Sequence, residues 1–286
     1  MNAGGDEPEG DGADRDEVEP LPKYDRLAEG YHRHWGPVIR PAAQVVLEHV
    51  DGTTAPRRII DIGAGTGTLA LAALRRWPLA AVTAIDSASA MLAIAEREAG
   101  ALPGAAVDRL ATLTALADRL PFADGTFDLA VSSFVLQLVP SRAAALREAH
   151  RVLVPGGRIA WVAWLDGGER FGADRVVDDV LGAFGFDPPD LDDAGGDIAS
   201  VGSAAATTRA AGFRSVRARE GWMEHRWTAE GYLGMLTEFD EESLFAELDR
   251  AERRRIERRL LAALRRLPEG DLTMRLPVVY VTALAG

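Results

Sequence analysis

From Arg58 onward the chain repeats one pattern: a short run of apolar residues, a break at glycine or an acid, then an amphipathic stretch at helical spacing. Ile59, Ile60 and Ile62 lead into Gly63, Gly65 and Gly67, and Leu69, Leu71 and Leu74 follow among alanines. That order predicts a buried strand, a glycine turn and a helix start. Ala81 to Ile85 is a second apolar strand, closed by Asp86 and followed by a helix from Ser87 to Glu98. A third lies near Leu110 to Ala115. The fourth begins at Gly125-Thr126-Phe127-Asp128 and runs to Ser132 and Ser133. A helix from Arg142 to Leu153, ended by Pro155-Gly156-Gly157, leads to a fifth strand, Arg158 to Trp164. Phe213 to Arg219 reads as the sixth, and Met274 to Leu284 alternates enough to be an antiparallel strand near the sheet edge.

Three further stretches flank this α/β core. Lys23 to Val50 carries apolar and aromatic residues for one or two amphipathic helices, a helical cap over residues 21–50. Glu169 to Ser200 is an insertion that a minimal sheet does not need. It holds an amphipathic helix (Arg175 to Phe184) and a Pro, Asp and Gly-rich loop, Phe186 to Asp197, expected to act as a mobile lid that sets substrate choice. Leu244, Leu248, Ile256, Leu260, Leu264 and Leu267 recur at helical spacing, predicting one long helix from Glu241 to Leu267. Its arginines, interleaved with Glu252 and Glu257, read as a solvated face rather than an RNA-binding stripe.

Composition narrows the picture. At 286 residues and 47% hydrophobic, the chain can bury one large core, so residues 21–286 are expected to form one domain. The absence of cysteine excludes a disulfide framework, a thiolate metal site and a Cys nucleophile, and no carboxylate and histidine cluster at ligand spacing suggests a metal. No run of eighteen apolar residues and no signal peptide are visible, so a cytoplasmic protein, away from the membrane, is expected. Net charge is −12, and residues 1–20 concentrate it, with eight acids against Arg15 alone. Such a segment is expected to stay a disordered acidic tail, and an acidic body argues against nucleic acid as substrate.

The candidate chemistry lies at the glycine turn. A glycine turn between strand and helix lets a ligand approach the main chain, and the helix that follows aims free N–H groups at the same spot. Asp86, nineteen positions past Gly67, is placed to accept hydrogen bonds from both hydroxyls of a ribose. The spacing G-x-G-x-G, with Asp61 two residues ahead, resembles motif I of the class I S-adenosylmethionine-dependent methyltransferases, not the G-x-G-x-x-G of nicotinamide enzymes. Ile85 to Leu92, Leu120 to Val139, Arg147 to Trp164 and Ala210 to Val216 resemble later segments of the same family, type 11 and type 25 small-molecule enzymes among them, in the same order.

The resemblance implies a Rossmann-like, doubly wound sheet of seven strands in the order 3-2-1-4-5-7-6, strand seven antiparallel, with S-adenosylmethionine as cofactor. It implies a cofactor site of Tyr24, Tyr31, Asp61, Gly63, Ala64, Gly65, Gly67, Asp86, Ser87, Met91, Ala117, Asp118, Ser132 and Ser133. Leu116 stands where the family usually has an Asp for the adenine amino group. Trp35, Phe134, Gln137, Trp164, Phe171 and Trp222 are the candidates for the substrate pocket. Their character suggests a hydrophobic or aromatic metabolite, methylated at O, N or C, and the Asn/Asp-Pro-Pro-aromatic tetrapeptide of base methylases is absent. No catalytic residue declares itself; His34, His225 and His32 are the candidate bases, in that order, and His150 reads as structural. A monomer or homodimer is expected. Two alternatives stand beside this reading: a non-catalytic S-adenosylmethionine- or partner-binding module, suggested by Leu116 and the acidic tail, and a nicotinamide oxidoreductase, disfavoured by the glycine spacing.

Overall fold

In the central strand β1 (Arg58–Ile62), Ile59 packs into the core on one face of the sheet while Ile60 and Ile62 pack on the other. Both faces being apolar, helices must cover both. The computed structural model describes residues 22–50, 55–104, 106–168, 170–186 and 196–286. The acidic tail, 1–20, and most of the loop expected as a lid lie outside the described residues.

The remaining strands are β2 (Ala81–Asp86), β3 (Leu110–Thr114), β4 (Phe127–Ser133), β5 (Leu153–Trp164), β6 (Arg214–Arg226) and β7 (Thr273–Leu284). They form one seven-stranded sheet in the order β3-β2-β1-β4-β5-β7-β6. The first five pair in parallel, and β7 runs antiparallel to both β5 and β6. Order and direction are those expected. Strand β5 starts earlier than expected, because Leu153 already pairs with Phe127 before an irregularity at Pro155-Gly156-Gly157. Strand β6 runs on to Arg226, carrying Trp222 and His225 along the sheet edge.

Helix α1 (Pro22–Gly30) continues through a π turn, Tyr31–Trp35, into α2 (Gly36–Glu48). Then come α3 (Thr68–Arg76), α4 (Ser89–Gly100), α5 (Arg142–Val152), α6 (Gly172–Ala183), α7 (Val201–Ala210) and α8 (Ala229–Met235). A second π turn, Leu236–Asp240, precedes α9 (Glu242–Glu247) and α10 (Arg250–Leu264). The single long helix expected over Glu241 to Leu267 is therefore broken. Leu248 is extended, and the Asp249 side chain accepts hydrogen bonds from the N–H groups of Ala251 and Glu252, starting a new helix. Ile256, Leu260 and Leu264 of α10 are fully buried, as their spacing requires.

Because the cap at Asp249 satisfies two otherwise free amides, Asp249→Ala is expected to lower stability by about 1 kcal/mol in equilibrium urea unfolding, with no change in the slope of the transition.

Candidate active site

The site is built at the carboxyl ends of β1, β2, β4 and β5, where parallel sheets place ligands. Two carboxylates hold the glycine turn from below. Asp61, in β1, is 1% exposed; its Oδ2 accepts a hydrogen bond from the Ala70 N–H at 2.8 Å, which caps α3, and its Oδ1 has no partner. Burial pushes its pKa up from 3.8 to about 7. Asp86, at the end of β2, accepts from Gly65 N–H at 2.8 Å and Ala88 N–H at 3.0 Å. Burial raises its carboxyl too, against the pull of those amides.

The three glycines do different work. All have positive φ. A Cβ at Gly63 would lie 2.2 Å from a methyl of Val135, and one at Gly67 would lie 2.9 Å from Ala95 Cβ, so packing alone already requires glycine at these two positions. At Gly65 the nearest atoms belong to the Tyr31 ring, at 3.9 and 4.0 Å, and no backbone intrudes. Ala64 and Gly67 donate their N–H groups to Ile85 and Ala64 carbonyls. With the Gly65 and Ala70 amides also engaged, part of the amide set expected here is taken up by the protein itself. A turn faced by two carboxylates does not suit a pyrophosphate. It suits a ligand with hydroxyls, since each oxygen of Asp86 keeps acceptor capacity.

Above the turn, Tyr24 and Tyr31 of the cap pack edge to face with ring centroids 6.4 Å apart. Asp25 fastens α1 by accepting from the Ala90 N–H at 2.8 Å, at the start of α4. Met91 is buried with Ala28, Ala88 and Ile94 beneath this cap, and Ser87 is half-buried beside it. Ala117 and Asp118 follow β3 in a turn closed from Leu116 to Arg119. Arg151 and Glu148 of α5 position the segment that continues from it: Glu148 accepts from Leu120 N–H at 2.8 Å, and Arg151 donates to the Leu120 and Phe122 carbonyls at 2.9 and 2.6 Å.

Aromatic rings line the other side. Phe134 ends β4 with φ 57°, an unusual angle for a residue with a side chain, pinned by its N–H to the Val162 carbonyl at 2.8 Å. Its ring sits 4.1 Å from that of Trp164, which neighbours Trp35 at 6.3 Å. Phe239, from the second π turn, joins the set by stacking on Trp35 and meeting Tyr31 edge to face at 5.4 Å. Phe239 had no role in the sequence-based site; the signal available was its place in an aromatic-rich run after β6. A cleft of about 330 Å³ opens beside Trp164, lined by Phe171, Asp166, Asp174, Asp197 and Met274.

The remaining expected members have contacts of their own. The Ser132 hydroxyl donates to the Ile62 carbonyl at 2.8 Å, tying β4 to β1, while Ser133 is half-buried at the strand end. Gln137 is 3% exposed with its Oε1 unpaired. Trp222, 47% exposed on the edge strand, lies under the Arg275 guanidinium and outside the cleft lining. None of the histidines stands in the cleft lining: His32 faces Glu98 at 3.4 Å, His34 faces Glu238 at 3.1 Å, and His225 packs against Trp227 with burial lowering its pKa. His150 is structural as expected, packed on Phe213 and accepting from Gly286 N–H at 3.3 Å. Among the described residues no three acids or histidines are grouped to hold a metal ion, and no helix is long and apolar enough to cross a membrane.

Sheet order, glycine turn and acid at the end of β2 together define a Rossmann-like methyltransferase fold, and residues 60–161 match the family model of a methyltransferase domain. Those residues are a methyltransferase domain of the class I, S-adenosylmethionine-dependent kind. Over 112 residues the chain is 42% identical to the malonyl-[acyl-carrier protein] O-methyltransferase of Geobacter sulfurreducens, covering 39% of this chain and 40% of that protein. Over 145 residues it is 41% identical to the demethylmenaquinone methyltransferase of Thermus thermophilus, covering 49% and 60%. The chain thus spans about half the length of the curated relatives it matches. Among solved structures the fold is similar to the YcgJ protein of Bacillus subtilis, at TM-score 0.53 and 17% identity over 85% of this chain and 98% of that one.

Between pH 4 and 7 the folded chain keeps on Asp61 a proton that the unfolded chain has released. The contribution of this group to stability therefore falls as pH rises through that window, by up to roughly 4 kcal/mol. Urea midpoints of the ligand-free protein measured across this range are expected to fall relative to those of Asp61→Asn; parallel curves would contradict the buried, unpaired acid.

Proposed function

We propose that this chain transfers a methyl group from S-adenosylmethionine to a small molecule with an apolar or aromatic body. The observation that carries the reading is the turn at Gly65: open to a ligand beneath Tyr31, with Asp86 on the next strand and the unpaired oxygen of Asp61 behind it. Asp86 would hold the ribose hydroxyls, Asp61 would set the turn from within by its bond to the Ala70 amide, and Tyr24, Tyr31 and Met91 would shield the adenosine side. Ala117 and Asp118 would meet the adenine edge, with Leu116 where an acid is usual.

S-adenosylmethionine supplies a methyl group activated by a positively charged sulfur. The chain contributes alignment and the exclusion of water, terms that can be worth about 7–11 kcal/mol of a barrier. Phe134, held at its unusual φ, and Trp164 form a rigid aromatic wall next to the end of β4, and Trp35 and Phe239 close it from the cap. No histidine lines the cleft, so the reading assigns no side-chain base and favours a nucleophile that reaches the site with a free lone pair.

Calorimetric titration with S-adenosylmethionine and S-adenosylhomocysteine is expected to show saturable binding by the wild type. Asp86→Ala removes the ribose acceptor, and Gly65→Val places a branched side chain at φ 54° beneath Tyr31. Each is expected to weaken binding by more than about tenfold while circular dichroism stays native. A folded wild type that binds neither ligand at millimolar concentration would end the enzyme reading.

A further inference from the structure

We propose that the acidic segment at the start of the chain, Asp6 to Glu19, docks on the solvent face of α10 in the same molecule.

The face itself is the first ground. In sequence the arginines of α10 alternate with Glu252 and Glu257, as on a balanced, solvated surface. Folding separates the two signs. Ile256, Leu260 and Leu264 turn inward, and Glu257, partly buried, is spent on Arg253 at 2.8 Å. The outer half of the helix carries Arg250, Arg254 and Arg258 one turn apart, and Arg255 and Arg259 one turn apart beside them. All five are exposed, and the one exposed acid of the helix is Glu252.

Their surroundings do little to balance them. Arg255 lies over the Phe184 ring at 5.4 Å, and Arg254 acts on Asp249, whose carboxylate already caps the helix. Glu230 is taken by Arg265, just past the helix end, at 2.6 Å. Among the described residues none of the five has a carboxylate in ion-pair contact. Like charges four residues apart destabilise a helix, so an anion laid along these rows relieves a standing repulsion.

The second ground is the occupant. Residues 1–20, outside the described residues, hold eight acids against Arg15 alone. The segment runs into α1, and Arg26 of α1 pairs with Glu242 at the start of α9, the element immediately before α10. Fully extended, Asp6 to Leu21 reaches roughly 50 Å, whereas α10 is about 22 Å long, so the acids can lie along the whole face. Exposed guanidinium–carboxylate pairs are individually weak, but a tether holds them at about millimolar local concentration and lets several act together. A diffusing polyanion has no such advantage and meets a net charge of −12.

The test uses the full chain. It contains no cysteine, so Ala13→Cys and Ala262→Cys, the latter exposed between the arginine rows, each accept one nitroxide label without background. Pulsed electron resonance in low salt is expected to show a population of label pairs closer than about 25 Å, roughly the length of the helix. In about 1 M salt, where charges are screened beyond about 3 Å, that population is expected to fall several-fold. Combining Arg254→Gln, Arg258→Gln and Arg259→Gln is expected to remove it in low salt while circular dichroism stays native. Arg254→Lys, Arg258→Lys and Arg259→Lys together are expected to keep most of it. A distribution that is the same in both salts, or a short population that survives the three glutamines, overturns the proposal. So does a short distance between singly labelled chains mixed together, which gives the face to a second copy. Displacement of the segment by an equimolar single-stranded oligonucleotide gives it to nucleic acid and overturns the proposal as well.

Discussion

Two carboxylates that the fold keeps out of water set the rest of the site in place. Asp61 caps α3 from inside β1, and Asp86 reaches back from β2 to the amide of Gly65, so the loop between them is tied to two strands at once. Burying acids without a cationic partner is costly, and the raised pKa values of both register that cost. The protein tolerates it because the same groups position α3, the glycine turn and the start of α4. Val135 over Gly63 and Ala95 against Gly67 then lock the turn from either side. Gly65 is left as the position of the three whose Cβ space meets only the Tyr31 ring.

Much of this architecture is written locally in the chain. The β1 run Ile59-Ile60-Asp61-Ile62, the glycine spacing and Asp86 lie within thirty residues, and their periodicity states strand, turn and strand without help from distant parts. The order of the strands came from the family pattern and stands in the structure. Elements decided by a competing cap or by a distant partner were less legible. The break at Leu248 depends on Asp249 choosing to cap rather than continue a helix whose apolar spacing runs straight through it. Strand β6 outlasts its apolar signal because β7 supplies a ladder as far as Thr273, carrying Trp222 and His225 to the edge.

The site residues divide the same way. Asp61, Gly65 and Asp86 are readable because the turn needs them at fixed offsets. Phe239 and Asp174 are not, because they join the aromatic set and the cleft only when the second π turn and α6 fold over the sheet, and nothing in their immediate sequence separates them from a solvated surface. Ser132 shows the limit from the other side: its hydroxyl at the carboxyl end of β4 donates to the Ile62 carbonyl, a partner that its own stretch of sequence does not disclose.

The cap has a kinetic meaning beyond its shape. The Tyr31 ring rests within van der Waals distance of the space above Gly65, and α1, which leads into it, is fastened by Asp25 to α4, by Arg26 to Glu242 and by Glu29 to Arg97. On the cofactor-site reading a ligand at the turn would rest against this ring, so the ties along α1 would bear on its exchange: loosening them would speed arrival and departure together.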